Sequence, residues 1–182
     1  MELYEAIDKR RTIRAYKAKA TEEQLRRLLL AGSKAPTGLN RQTWEFIIID
    51  DQKIADQLAE MKYHMNRKIP PTGEQTQEDI EKAALFQKKS FVNASIVAVC
   101  CGKGNIADGW LSVANISLAA VADGIGSGIV GMRGEAKKEA ETLLGVPEEY
   151  ELVCLLKIGV PAGEVKPPKK REAYSWLHRN RF

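Results

Sequence analysis

Three apolar segments constrain the fold of this chain more than any other feature. FIIID spans Phe46 to Asp50, SIVAVCC spans Ser95 to Cys101, and ELVCLLKIGVP spans Glu151 to Pro161. Short runs rich in β-branched residues predict strands, and the lack of polar alternation in the first two predicts strands that are buried on both faces. A sheet of this kind has to be covered by helices, and helical segments do separate most of the strands. The sequence therefore predicts an α+β fold, with a small, mostly antiparallel or mixed β-sheet flanked by helices.

The helical segments carry recognisable start and stop signals. ELYEAIDKRR has apolar residues at helical spacing, and TEEQLRRLLLAGSKAP opens on a capping box formed by Thr21 and Gln24. Further helices are predicted for residues 51–65 and 77–92 and for EAKKEAETLLG, which Gly145 closes. A short glycine-rich strand and turn is predicted for residues 126–132.

The segment DGWLSVANISLAAVADG is helical in pattern but apolar on nearly all sides. Such a helix is expected to be buried all round. In a chain of 182 residues, a second subunit is one plausible cover for it.

Length and composition fit one globular domain over residues 1–182, with a C-terminal tail from about residue 162 that is too apolar to be free. The cysteines Cys100, Cys101 and Cys154 form no disulfide or zinc pattern and are interpreted as small apolar residues in strands. No apolar run reaches the roughly 20 residues that span a membrane, and no signal segment is evident. We therefore expect a reduced, cytoplasmic protein without a membrane partner.

Basic residues are concentrated near both ends of the chain. The segment from Lys9 to Lys19 contains six Lys or Arg and no acid, and the segment from Lys166 to Arg181 contains another six with one acid, Glu172. Since like charges repel, the clusters point to a local anion. If residues 10–14 are extended, Arg10, Thr12 and Arg14 share one face, which suits a phosphate; a solvated charged face is the alternative.

Three further segments hold groups that could contact a ligand. APTGLNRQTW, from Ala35 to Trp44, offers hydroxyl and amide groups in a turn; GIVGM offers glycines that permit close approach of a flat ligand; and PPKKRE places Lys169 and Arg171 on one face of an extended tail. Each could instead be a polar loop, a core strand or an exposed tail. GxGxxG and GxxxxGK[ST] motifs are absent from the required contexts.

In this order along the chain, these segments resemble the nitroreductase family of FMN-dependent oxidoreductases. RRTIR is similar to the family's Arg-Arg-Ser-x-Arg pattern, APTGLNRQTWEF to its Ala-Pro-Ser-x-x-Asn-x-Gln-Pro-Trp-x-Phe segment, and the late DGIGSGIVGM, LLGVPEEYELVCLLKIGVP and KKR to its closing elements. Thr37 replaces the family's Ser, and Thr43 replaces its Pro. The region from about Lys62 to Lys89 is short, so the resemblance says little about the substrate roof.

The resemblance implies a nitroreductase-like, FMN-binding, domain-exchanged homodimer, in which the C-terminal tail (about residues 162–182) closes on the cofactor or wraps the partner subunit. The residues that it assigns to the cofactor are Arg10, Arg11, Thr12, Arg14, Pro36, Thr37, Asn40, Gln42, Gln87, Val130, Gly131, Lys169 and Arg171. Arg10, Thr12, Lys169 and Arg171 are assigned to the phosphate end, Arg14 to the pyrimidine edge, and the backbone of Val130 and Gly131 to N5. Residues 36–40 are assigned to the partner subunit's flavin, while Gln87 matches only loosely and Arg11 has no defined role.

The function implied is transfer of a hydride from NADH or NADPH to FMN and then reduction of an organic acceptor, by a ping-pong mechanism. The acceptor could be a nitroaromatic, a quinone, a flavin or a similar molecule. No protein acid or base is required, so no catalytic residue and no metal ligand is predicted, and His64 and His178 are interpreted as surface residues. A flavin-binding protein without turnover and a nucleic-acid-binding protein are the alternatives; the latter explains the charge but not the loop at residues 35–44 or the glycine-rich turn.

Overall fold

The computed structural model describes residues 1–182, which form six α-helices and five strands. The helices are α1 (Leu3–Lys9), α2 (Glu22–Gly32), α3 (Gln52–Arg67), α4 (Gln77–Lys89), α5 (Ile106–Ala122) and α6 (Gly134–Leu143). The strands are β1 (Tyr16–Lys19), β2 (Trp44–Ile49), β3 (Ser95–Gly102), β4 (Gly126–Val130) and β5 (Tyr150–Pro161), and a 3₁₀ turn spans Gly38–Asn40. The predicted α+β fold is confirmed.

The central strand of the sheet is β5, which pairs with β1, β3 and β4. All pairings between named strands are antiparallel, and a single parallel bridge joins Thr12 to Ser127. Gly159 pairs with both Lys19 and Gly126, while Ile158 pairs with both Ser95 and Ser127. Since a strand has two edges, β4 follows one edge of β5, and β3 and then β1 follow the other.

Helices cover both faces of this sheet. Ile96, Ala98 and Cys100 of β3 join a core on the side of α3 and α6, while Val97, Val99 and Cys101 join a core on the side of α2 and α5. A bulge shifts the β3–β5 register between Val99 and Cys100, which pair with Cys154 and Leu152. The cysteines are buried in these strands and are free, as the sequence predicts.

The prediction that β2 is buried on both faces is wrong, and the predicted burial of α5 is not reached within one chain. Only Ile49 and Trp44 of β2 are buried, because β2 is the outer strand and pairs with β3 alone. Helix α5 buries Val113, Ile116 and Ala120 with its small polar residues, but Trp110 and Leu111 lie on an exposed face. An apolar helix is therefore covered on one side only by its own chain.

Strand β1 is absent from the sequence predictions. Its residues YKAK contain one buried side chain, Tyr16, and three exposed ones. The hydroxyl oxygen of Tyr16 lies 3.0 Å from the carbonyl oxygens of both Ile13 and Lys157, so it ties the basic segment to β5. Burial raises the pKa of Tyr16, which keeps the hydroxyl protonated as a donor.

The capping box at α2 is confirmed: the Thr21 hydroxyl accepts from the Gln24 amide and the Gln24 side chain accepts from the Thr21 amide. A second capping box, formed by Thr76 and Asp79, opens α4. Helix α4 ends at Lys89, three residues before the predicted end. None of the helices combines the length and the apolar character that crossing a membrane requires.

Candidate functional site

The basic segment of residues 10–14 runs along the outer edge of β4. The amide of Ile13 donates to the carbonyl of Ser127 at 2.9 Å, next to the bridge between Thr12 and Ser127. The close approach requires glycine at position 128, because a Cβ there would overlap the carbonyl oxygen of Ile13. Gly126 also packs against Ile13. Gly126 and Gly128 thus admit the chain's own N-terminal segment, so of the glycines in GIVGM only Gly131 is left open to a ligand, and its predicted role stays a prediction.

A cavity of about 210 Å³ lies between this segment and the start of the C-terminal tail. Its walls are formed by Arg10, Arg11, Thr12 and Arg14 from one side and by Val165, Lys166 and Pro168 from the other. The structure thus brings the start of the basic tail beside the basic segment, while a shared anion stays a prediction. Lys169 and Arg171 follow immediately but do not line the cavity, and Arg171 donates to the carbonyl of Ser175 at 3.2 Å.

The side chain of Arg11 differs from its neighbours. Its Nη1 donates to the carbonyls of Asp8 and Arg10, at 2.5 and 2.9 Å, and its Nε is buried without a partner. Those contacts turn it back toward the end of α1, where it also lines a second cavity beside Gly126 and Pro161. The Arg11 side chain therefore binds carbonyl groups at the C-terminal end of α1.

Arg14 lies at a cleft of about 410 Å³ formed with the C-terminal end of α4. Phe86, Ser90 and Asn93 line the opposite wall. Gln87 is half-buried beside Phe86, and its backbone carbonyl accepts from the Ser90 hydroxyl at 2.5 Å. Gln87 itself does not line the cleft.

At the end of β4, Val130 is buried and Gly131 faces open space. The carbonyl of Gly131 accepts a hydrogen bond of 2.8 Å from the ammonium group of Lys62. The backbone amides of Gly131, Met132 and Arg133 donate to no atom of the chain. Three amides in a row are thus left without a partner, roughly 10 Å along β4 from the basic segment.

The loop from Pro36 to Gln42 lies apart from these features. Neither the cavity beside Arg10 nor the cleft beside Arg14 includes any of its residues. Leu39, Asn40 and Gln42 adopt left-handed backbone conformations, with φ of 55°, 56° and 52°. The hydroxyl of Thr37 accepts from the Gln42 amide at 3.1 Å, and the Gln42 side chain donates to the Asn40 carbonyl. Backbone strain of this kind concentrates at functional sites, yet within one chain the loop does not meet the basic segment.

Two buried lysines near the site are absent from the sequence predictions. Lys62 on α3 is 8% exposed and Lys157 on β5 is 1% exposed. Burial lowers the pKa of each to about 8, helped by Arg133 near Lys62 and by Arg14 and then Lys62 near Lys157. Both could have been recognised: Lys62 continues the buried series Ala55, Leu58 and Ala59 at helical spacing, and Lys157 interrupts an apolar strand.

The family model described as "Nitroreductase family" matches residues 7–160. The chain belongs to the nitroreductase family. The matched range includes the basic segment, the loop of residues 36–42, and β4 with the free amides that follow it.

Two curated proteins and one solved structure are similar to this protein over most of the chain. The iodotyrosine deiodinase of Thermotoga neapolitana is 28% identical over 174 residues, which cover 87% of this chain and 88% of that protein. A protein of Archaeoglobus fulgidus whose name combines NADH dehydrogenase and NAD(P)H nitroreductase is 27% identical over 175 residues, covering 90% and 87%. A crystal structure of oxidised iodotyrosine deiodinase bound to FMN and 3-iodo-L-tyrosine aligns with a TM-score of 0.82 at 27% identity and covers both chains completely.

The site of this nitroreductase-family chain fits the phosphate and ring of a flavin mononucleotide. Arg10, Arg14, Lys62 and Lys157 make no salt bridge to any carboxylate. Clustered cations without acids leave the site short of negative charge, which a phosphate with about two negative charges supplies. The free amides after Val130 provide donors for a heteroaromatic edge.

Proposed function

We propose that this protein is an FMN-dependent oxidoreductase that takes a hydride from NADH or NADPH and reduces an organic acceptor by a ping-pong mechanism. The observation that carries the proposal is the group of acid-free cations at residues 10–14, which lies roughly 10 Å along β4 from three unpaired backbone amides at the end of that strand. A nucleic-acid-binding surface would account for the cations alone.

FMN, when bound, supplies the redox chemistry, because its ring accepts a hydride and gives up two electrons to the acceptor. The protein binds and orients it. Arg10 and Thr12 hold the phosphate and ribityl end, Lys169 and Arg171 close over the phosphate, and Arg14 neutralises charge at the pyrimidine edge. Gln87, which matches a ring-contacting position only loosely, lies beside Phe86 and outside the cleft, and the backbone at Val130 and Gly131 meets the N5 edge.

We further propose that the site is completed by a second copy of the chain. Apolar side chains remain exposed on α1, α5 and the tail, among them Leu3, Tyr4, Trp110, Trp176 and Phe182. Their burial in a dimer removes apolar surface from water and covers the open face of α5. The strained loop carrying Pro36, Thr37, Asn40 and Gln42 then reaches the partner's flavin, which explains why it meets no ligand group of its own chain.

Flavin titration of variants tests the binding mode. Arg10→Ala and Arg171→Ala each remove a charge-assisted contact worth roughly 1.5–3 kcal/mol, so FMN affinity should fall about ten- to a hundredfold. Riboflavin, which lacks the phosphate, should bind weakly and equally to all variants. Arg26→Ala is the matched control, because Arg26 is exposed and pairs with Glu22 on α2. Equal losses for FMN and riboflavin would show that these arginines do not read a phosphate.

A second candidate reaction is reductive removal of iodine from an iodinated tyrosine. It is favoured by the likeness to iodotyrosine deiodinases in both sequence and structure. A stopped-flow comparison of flavin bleaching by NADH and NADPH identifies the donor. Reoxidation by a panel of a nitroaromatic, a quinone, free flavin and 3-iodotyrosine then identifies the acceptor class. A protein that binds FMN but is bleached by neither nucleotide is not an NAD(P)H oxidoreductase.

A further inference from the structure

Two lysine ammonium groups lie inside this molecule without a carboxylate partner. Lys62 is 8% exposed and Lys157 is 1% exposed, and neither belongs to a salt bridge. Buried charges in proteins are almost always paired, because removing an ion from water is costly. Two unpaired cations on the same side of one sheet therefore point to negative charge that the isolated chain does not contain.

Lys62 is aimed at the backbone expected to face the flavin. Its only hydrogen bond is the 2.8 Å contact with the carbonyl of Gly131. In a trans peptide the C=O and the following N–H point in opposite directions, so this contact turns the amide of Met132 away from Lys62. That amide and its neighbours at Gly131 and Arg133 have no acceptor in the chain. Lys62 thus fixes the orientation of a free donor and polarises it.

Lys157 is the second cation. Its ammonium donates to the hydroxyl of Ser90, the C-cap residue of α4, and lies 5.5 Å from the centre of the Phe91 ring. The negative end of the α4 dipole and the ring face give partial compensation. Arg14 and Lys62 are the charged groups that act on it, and both are positive. Lys157, Arg14 and Lys62 therefore concentrate positive charge beside the cleft that Arg14 lines.

We propose that Lys62 and Lys157 are positioning residues that favour the reduced state of the bound flavin: Lys62 orients the Gly131–Met132 peptide, and both supply positive charge from inside the protein. The inference rests on the proposed function. Two-electron reduction with uptake of one proton leaves the ring one negative charge richer than the oxidised form. A fixed internal cation stabilises that added charge, and the unpaired Met132 amide, which Lys62 turns away from itself, is a donor for it.

The test measures the two-electron midpoint potential of FMN bound to wild type, Lys62→Met, Lys157→Met, Lys62→Arg and Lys53→Met. Methionine matches the unbranched shape of lysine without charge. At roughly 10 Å and an effective dielectric constant of about 20, loss of one charge should weaken the preference for reduced over oxidised FMN about tenfold. A tenfold change equals about 30 mV for a two-electron couple, and the potential should fall by that amount. Lys62→Arg should keep the wild-type potential, and so should the exposed Lys53 variant on the same helix.

A second readout separates this role from a structural one. Without cofactor, the methionine variants should unfold at the same temperature as wild type or above it, because an uncompensated buried charge is removed. FMN-loaded variants with an unchanged potential would overturn the inference while leaving the proposed function intact. So would methionine variants of unaltered potential that merely unfold at a lower temperature. A wild-type protein that binds no FMN would refute the proposed function and this inference with it.

Discussion

Replacing Gly128 with alanine tests how the basic segment is held against the sheet. The new Cβ would overlap the carbonyl oxygen of Ile13 and would lie 2.9 Å from the Tyr16 hydroxyl oxygen. The first of these neighbours is backbone, so no side-chain rotation relieves the overlap. Residues 12–14 have to move away from β4, and Arg10 and Arg14 move with them.

The magnitude follows from the contacts at this position. Overpacking costs roughly 1–3 kcal/mol. Loss of the hydrogen bond from the Ile13 amide to the Ser127 carbonyl adds about 1 kcal/mol. At roughly 2–4 °C per kcal/mol for a chain of this length, Tm should fall by roughly 5–15 °C. FMN affinity should fall about tenfold or more, because the phosphate contacts lose their register.

Thermal unfolding followed by circular dichroism and FMN titration followed by flavin fluorescence measure both effects. Gly163→Ala is the control, since a Cβ there meets no atom within 4 Å and Gly163 lies in the exposed tail. A Gly128→Ala protein with wild-type Tm and wild-type FMN affinity would show that the segment is not held by this close approach.

Three further predictions concern pH, subunit sharing and the tail. Burial lowers the pKa of Lys62 and Lys157 to about 8 from 10.5, so between these values the unfolded chain binds more protons. Above about pH 8, the free energy of unfolding of cofactor-free wild type should therefore rise with pH relative to the Lys62→Met, Lys157→Met double variant, by at most about 3 kcal/mol per lysine. A difference in urea midpoints that stays constant from pH 7 to 9.5 would contradict this. Mixed dimers of an Arg10→Ala, Arg171→Ala chain with a Thr37→Ala, Asn40→Ala chain should show about half of the flavin sites at wild-type affinity, since one site keeps all its contacts; two equally weakened sites in the titration would argue for sites private to each chain. Truncation after residue 162 removes the tail wall of the cavity beside Arg10 and should lower FMN affinity about tenfold or more. Far-ultraviolet circular dichroism should stay unchanged, because residues 163–182 contain no helix or strand. Undiminished affinity would exclude the tail from the site.

Local sequence patterns determined the elements that are built from their own residues. The capping box at Thr21 and the apolar runs of β3 and β5 each specify one element through neighbours close in the chain. The basic residues at both ends also predicted an anion site, because clustered charge of one sign is visible in the sequence alone. The order of the motifs then identified the family.

The tertiary structure decided what depends on distant partners. Strand β1 forms from the polar segment YKAK because β5 offers it a free edge, and Gly126 and Gly128 admit Ile13 because that segment crosses them. Lys62 reaches Gly131, and Lys157 lies near Arg14, only because α3, α4 and β5 pack together. A hydrogen bond such as that from Lys62 to Gly131 joins residues 69 positions apart, and no local pattern encodes such a contact.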